Sequence, residues 1–199
     1  GLNAAINSCR SGSQWERALH LASEAPVMLW DDITYSMILS ACSRGGAWEL
    51  AVHLFDSASS QGFDAHEHVV SAAVTACGRS SHWQQALLIA DAGELADDVA
   101  VLSASIDACR RAGYWEAAMV VFDRLQRLGQ TTAAGSGAAV SALAFASHWI
   151  EALQLFEVEF QQAKALNPGI RGYEAALQAC AQGNNWQIVR TSILLIECI

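Results

Sequence analysis

Apolar and small residues recur along the chain at positions i, i+3, i+4 and i+7, the spacing that places them on one face of an α-helix. One such face runs from Tyr35 to Cys42, and faces with the same spacing begin at Val70, Leu102 and Tyr173. A turn of small and polar residues follows the first of these faces. The pattern predicts a series of similar amphipathic helices, each ending in a short turn.

A second series of helical faces begins at tryptophan. Apolar or small residues stand three, four and seven places after Trp48, Trp115 and Trp149. The third place is alanine in five of six occurrences, and a small residue there lets two helices approach closely. We therefore predict that each second helix packs on the helix before it, and that tryptophan and phenylalanine fill the space between neighbouring pairs.

The tryptophans divide the chain into repeats. Their spacings are 33, 35, 32, 34 and 37 residues along the series Trp15, Trp48, Trp83, Trp115, Trp149 and Trp186. A period of 20 to 50 residues is typical of stacked-repeat proteins. We predict an all-α, right-handed solenoid of about six helix-turn-helix repeats, one array over residues 1–199. Because its end repeats lack a polar cap, we expect it to be a segment of a longer array.

The residue two places before each of these tryptophans is predicted to be the N-cap of the second helix. Serine, glycine or asparagine stands there in all six repeats. Glutamate or glutamine follows three places later in five of them, which is the capping-box pattern. The pattern is strict at Ser13 with Glu16 and at Ser81 with Gln84.

The amino-acid composition limits the classes of protein to which this chain can belong. Hydrophobic residues make up 53% of the chain and charged residues 16%, which indicates a folded domain. No apolar run reaches the roughly 18 residues of a membrane-spanning helix, so we expect no membrane insertion. The net charge of −9 and the single lysine, Lys164, are unlike the basic surface of a general nucleic-acid binder.

No pattern of catalytic residues is present. The chain has no HExxH, GxSxG or phosphate-binding loop, so we predict a protein that is not an enzyme and has no cofactor and no small-molecule substrate. Two histidines in the polar stretch from Asp64 to His68 could hold a metal, but no further ligand is indicated, and an inter-repeat turn accounts for them.

Five cysteines occupy one position of the repeat: Cys9, Cys42, Cys77, Cys109 and Cys180. Equivalent points on stacked helices lie about 8–10 Å apart, which is too far for a disulfide. No CxxC pair is present, so we predict small buried thiols of a reduced, intracellular protein, with no metal. Cys198 falls outside the repeat position.

The segment from Thr34 to Phe63, TYSMILSACSRGGAWELAVHLFDSASSQGF, resembles a pentatricopeptide repeat. The resemblance rests on its Thr-Tyr start, Cys42, the Gly45-Gly46 turn, Ala51, Leu54-Phe55 and Gly62. It extends over essentially the whole chain and is weakest in the fifth repeat. The chain departs from the family pattern because the proline usual near the end of such repeats is absent.

The resemblance implies which residues would contact RNA. In this family successive repeats read successive bases of single-stranded RNA through two or three side chains. The selecting residues would be Asn3 with Asp31, Ser36 with His66, Ser71 with Asp98, and Ser103 with Thr132. The next pair, Gly137 with Gly169, offers no side-chain hydrogen bond.

Three consecutive repeats carry arginine four places before the tryptophan: Arg44, Arg79 and Arg111. The resemblance implies that this position faces the phosphate backbone. An alternative is that arginine in the last turn of a helix interacts favourably with the negative end of the helix dipole.

These observations lead to two functional hypotheses. The favoured one is a non-catalytic scaffold that binds protein subunits within a larger assembly, because an acidic surface suits a basic protein partner. The alternative is a single-stranded RNA-binding pentatricopeptide protein of organellar RNA processing or translation. For either, the resemblance implies a mitochondrion or a plastid.

Overall fold

The computed structural model describes residue 6 and residues 15–24, 30–63, 66–92, 95–162 and 169–183. All regular secondary structure in these ranges is helical. The chain forms two compact units, Gly1–Ala108 and Cys109–Ile199. None of the helices within the described ranges has the length and hydrophobicity needed to cross a membrane.

The described helices alternate between two kinds. The second helices, which begin at tryptophan, are α1 (Trp15–Glu24), α3 (Trp48–Ser60), α5 (Trp83–Asp91), α7 (Trp115–Arg127) and α9 (Trp149–Gln162). The first helices are α2 (Asp32–Gly45), α4 (Glu67–Arg79), α6 (Val99–Ala112), α8 (Ala133–Phe145) and α10 (Gly169–Gly183). The division between the two units falls within α6. The predicted alternation of two helical faces is therefore confirmed.

The first helices form the centre of each unit. In the first unit α2 packs against α4, and in the second unit α8 packs against α10; second helices flank both pairs. The predicted apolar faces supply the contacts, since every member of the face from Tyr35 to Cys42 is at most 1% exposed. In α10 the prediction holds less well, because Leu177 is 45% exposed.

Small residues set the separation of the first helices in the first unit. A Cβ added to Gly78 of α4 would lie 2.5 Å from the Cβ of Ala108 in α6, closer than real Cβ atoms approach. Glycine is therefore required at this position by space, since α4 itself continues through it with helical geometry.

Phenylalanine, and not tryptophan, is the main anchor of the second helices. Phe122 is fully buried and Phe156 is 6% exposed, whereas Trp115 and Trp149 are only half-buried. The alanines three places after tryptophan are at most 1% exposed, as their predicted contact role requires: Ala18, Ala51, Ala86, Ala118 and Ala152. Tryptophan is therefore the less buried of the two aromatic positions.

The predicted N-caps of the second helices are wrong in the described turns. The residue two places before tryptophan has left-handed backbone, with φ of 70° at Gly46, 63° at Ser81, 80° at Gly113 and 66° at Ser147. An N-cap residue has extended or bridging backbone, so these residues instead terminate the first helix. The N-cap is the next residue, and at Ala47, His82 and Tyr114 its side chain makes no capping hydrogen bond.

A backbone hydrogen bond closes each of these turns. The amide immediately before tryptophan donates to the carbonyl five residues earlier: Ala47 to Cys42 at 3.1 Å, His82 to Cys77 at 3.0 Å, Tyr114 to Cys109 at 3.0 Å, and His148 to Leu143 at 2.9 Å. This is the six-to-one bond of a Schellman motif, which needs a left-handed residue next to it. Glycine meets that need without strain, and serine meets it at a cost.

The cysteines have the environment that the sequence predicted. Cys42, Cys77, Cys109 and Cys180 are buried free thiols. Burial raises the pKa of Cys42, Cys77 and Cys109 from 9.0 to about 11, because a thiolate at these sites would lose its hydration. Cys9 and Cys198 lie outside the described residues.

The turn geometry predicts the effect of two substitutions. Ser81→Gly removes left-handed strain, and we expect it to raise the free energy of unfolding by about 0.5–1 kcal/mol. Gly46→Ala should lower it by about 1 kcal/mol through backbone strain alone, since nothing lies within 4 Å of the added Cβ. Urea denaturation measures both.

Ser80→Gly is the matched control, because the neighbouring Ser80 has a φ of −92° and gains nothing from glycine. We expect Ser80→Gly to be neutral or destabilising. Equal stabilisation by glycine at both serines would contradict the assigned turn.

The buried thiols predict a pH dependence of stability. In the unfolded chain these cysteines lose a proton near pH 9, and in the folded chain only near pH 11. Their contribution to stability is therefore complete below pH 9 and is lost as the pH rises towards 11. We expect the free energy of unfolding to fall over this interval, and to fall less steeply in Cys77→Ala. Identical slopes for the two proteins in urea titrations would refute this.

Candidate functional site

A cleft lies between two first helices of the first unit. It has a volume of about 220 Å³. Its lining comes from Ser40 and Ser43 of α2 and from His68, Ser71, Ala72 and Thr75 of α4. Hydroxyl groups both donate and accept hydrogen bonds, so this lining can pair with either kind of group on a ligand. No charged carboxylate contributes to the lining.

Ser71 is the one predicted base-selecting residue that lines this cleft. Ser36 lies one repeat earlier at the same position of α2, where its hydroxyl donates to the carbonyl of Ile33 at 2.9 Å. Ser103 is the half-buried equivalent in α6. The first residue of the predicted series, Asn3, lies outside the described residues.

The predicted selecting residues at the ends of the repeats mostly cap the next first helix. Asp31 accepts a hydrogen bond from the amide of Thr34 at 2.7 Å, and Thr132 accepts one from the amide of Gly135 at 3.1 Å. The carboxylate of Asp98 accepts two hydrogen bonds, from the amide of Ala100 at 2.8 Å and from the amide of Val101 at 3.1 Å. An N-cap of this kind accounts for aspartate and threonine at these positions without RNA. Their role in base selection stays a prediction.

His66 is the exception among these end residues. It occupies the N-cap position of α4 without a side-chain capping bond. Its Nδ1 instead lies 3.3 Å from a carboxylate oxygen of Asp32, in the first turn of α2. The side chain is 46% exposed, so its second ring nitrogen remains available to a ligand.

The arginines lie at the ends of their first helices. Arg44 is half-buried, and its Nη1 is 3.5 Å from the hydroxyl of Ser40, at the edge of the cleft. Arg79 is the exposed last residue of α4, and Arg111 is exposed one residue before the end of α6. All three are therefore in the last turn, as the sequence indicated.

Charge is distributed unevenly between the two kinds of helix in the two hairpins α2–α3 and α4–α5. The first helices α2 and α4 each have an acidic residue in the first turn and an arginine in the last. The second helices α3 and α5 contain Glu49, Asp56 and Asp91 and no lysine or arginine. Positive charge in this pair of hairpins is therefore confined to the ends of the first helices.

Two aromatic contacts join neighbouring turns, a feature that the sequence did not lead us to predict. Trp48 stacks on His82 with ring centroids 3.8 Å apart, and Trp115 packs on His148 at 4.2 Å with the two rings tilted by 38°. Each contact pairs a tryptophan with the residue just before the next tryptophan. The repeated His-Trp dipeptides could have indicated this pairing, since aromatic rings one repeat apart meet when hairpins stack.

Both the sequence and the fold are similar to those of known proteins. The family model described as PPR repeat, the pentatricopeptide repeat, matches residues 33–63 and 106–130. Among curated proteins, none matched the sequence.

Solved structures of one pentatricopeptide repeat protein share the fold. PPR10 in complex with an 18-nt psaJ RNA element has a TM-score of 0.77 and 16% identity, over 99% of this chain and 29% of that one. PPR10 from maize has a TM-score of 0.69 and 22% identity, over 96% of this chain and 28% of that one. This chain thus spans less than a third of the length of the proteins it matches.

These matches confirm the predicted α-solenoid fold, and one of the two repeats that the family model recognises, residues 33–63, covers the segment that carried the resemblance. Residues 33–63 and 106–130 of the chain are therefore identified as pentatricopeptide repeats.

Proposed function

We propose that this chain binds single-stranded RNA along the faces and last turns of its first helices, without catalysing a reaction. The proposal rests chiefly on the hydroxyl-lined cleft between α2 and α4, with an arginine in the last turn of each helix. The RNA complex of PPR10, which has the same fold, supports it.

The cleft suits the edge of a nucleobase. Ser40, Ser71 and Thr75 present hydroxyl groups from two neighbouring helices, and base edges carry both donors and acceptors. Because Thr75 donates its own proton to the carbonyl of Ser71 at 2.8 Å, its oxygen is oriented to accept from a ligand. The cleft would therefore read a base through neutral hydrogen bonds.

The arginines suit the phosphates of the same strand. Arg44 lies beside the cleft through Ser40, and Arg79 extends into solvent from the end of α4. The acidic residues of α3 and α5 belong to other helices, so the net charge of −9 does not describe this surface. The acidic net charge of the whole chain is therefore a weaker argument against RNA binding at this surface.

The protein-scaffold hypothesis has less support. It rests on the acidic composition and on the irregular base-selecting positions. The solved complex that shares the fold contains RNA. RNA binding gives the last-turn arginines of the first helices a ligand, which a scaffold for basic proteins does not.

Arg79→Gln provides the test of this proposal. If Arg79 contacts one phosphate, its loss should weaken binding of a randomised single-stranded RNA pool and reduce the slope of log K against log salt by about 0.7. Fluorescence anisotropy titrations at four salt concentrations give this slope.

Arg127→Gln is the matched control. Arg127 is an exposed arginine at the end of a second helix, where it pairs with Asp123. We expect its loss to leave the slope unchanged. If both variants and the unmodified protein show the same slope, the proposed phosphate contact of Arg79 is contradicted. If the unmodified protein binds RNA with an affinity that does not depend on salt, the proposed function itself is contradicted.

A further inference from the structure

One repeat position changes its chemistry along the chain. The residue four places before tryptophan is arginine in α2, α4 and α6, at Arg44, Arg79 and Arg111. In α8 the same position is Phe145, the last residue of the helix. An aromatic ring therefore stands at the end of α8, where the three earlier first helices carry a cation in the last turn.

Phe145 does not serve the core of the second unit. It is 57% exposed, whereas Phe122 and Phe156 of the flanking second helices are 0% and 6% exposed. The buried surface of α8 ends at Ala144, and its exposed residues are Ala134 and Phe145. A large ring thus lies at the helix end with most of its surface in water.

The rest of α8 offers little to an RNA strand. Gly137 occupies the predicted base-selecting position and is buried, and no residue of α8 carries a charge. The predicted base-selecting position of this helix therefore carries no base-pairing side chain, and the helix has no cation for a phosphate. A base that reaches α8 has no hydrogen-bonding partner at the usual position and is free to turn towards another surface.

We propose that Phe145 is a stacking platform for an unpaired base of single-stranded RNA, next in line after the nucleotide whose phosphate Arg111 contacts. The inference rests on the proposed function. Arg111 and Phe145 belong to the same unit and stand one repeat apart, and repeats of this kind contact successive nucleotides. Stacking on an exposed aromatic ring is a general means of holding a base without selecting its identity.

Phe145→Ala and Phe145→Leu test the platform. Loss of the ring should weaken binding of single-stranded RNA about 5- to 100-fold, the range that base-aromatic stacking supports. The salt slope should stay unchanged because no charge is lost. Phe145→Tyr should retain the affinity. Because the side chain is exposed, the thermal midpoint should stay the same in all three variants.

Val120→Ala is the control, since Val120 is an apolar residue of the second helix α7 that is 70% exposed. It should leave RNA affinity unchanged. A photo-cross-link from 5-bromouracil-containing RNA to the peptide that contains Phe145 would locate the contact directly, and its absence would count against the platform.

The possible failures can be told apart. If the unmodified protein binds RNA with a salt-dependent affinity that Phe145→Ala leaves unaltered, the stacking platform is overturned and the proposed function stands. If the unmodified protein does not bind RNA, both are overturned. Unaltered RNA affinity combined with loss of self-association in light scattering would assign Phe145 to a protein contact, which also overturns the platform.

Discussion

One backbone hydrogen bond determines how each hairpin is built. The backbone amide of the residue before tryptophan donates a hydrogen bond to a carbonyl in the last turn of the first helix. In three hairpins this carbonyl belongs to a cysteine: Cys42, Cys77 or Cys109. This bond requires a left-handed residue between the two helices, which fixes the angle at which the chain reverses. Tryptophan then becomes the first residue of the second helix, and the alanine three places later meets the first helix at close range.

The turns also connect one hairpin with the next. The stack of Trp48 on His82 joins the start of one second helix to the N-cap of the following one, and the hydroxyl of Ser80 lies 3.4 Å from the carbonyl of Gly46. These contacts place the ends of α2 and α4, with Arg44 and Arg79, on neighbouring hairpins. The residues that build the repeat thereby also position the residues proposed to bind RNA.

The fold could be predicted from the sequence because the period and the two apolar faces are independent signals of the same architecture. The turn could not be assigned correctly, since serine, glycine and asparagine suit both an N-cap and a left-handed helix end. Only the φ values, such as 63° at Ser81, distinguish the two. The site was predictable in part: the arginines are in the last turns as expected, whereas Asp31 and Asp98 use their carboxylates to cap helices. The exposure of Phe145 was not predicted, although this residue stands at the repeat position of the three arginines.

The central claim is that RNA lies along the first helices and their last turns. Hydrogen exchange followed by mass spectrometry, with and without a saturating single-stranded RNA, tests it most directly. The account predicts slower exchange in peptides covering residues 71–79 and 137–145, and unchanged exchange in peptides from the second helices, such as residues 115–127. Protection confined to the second helices, or no protection anywhere in the chain, would contradict it.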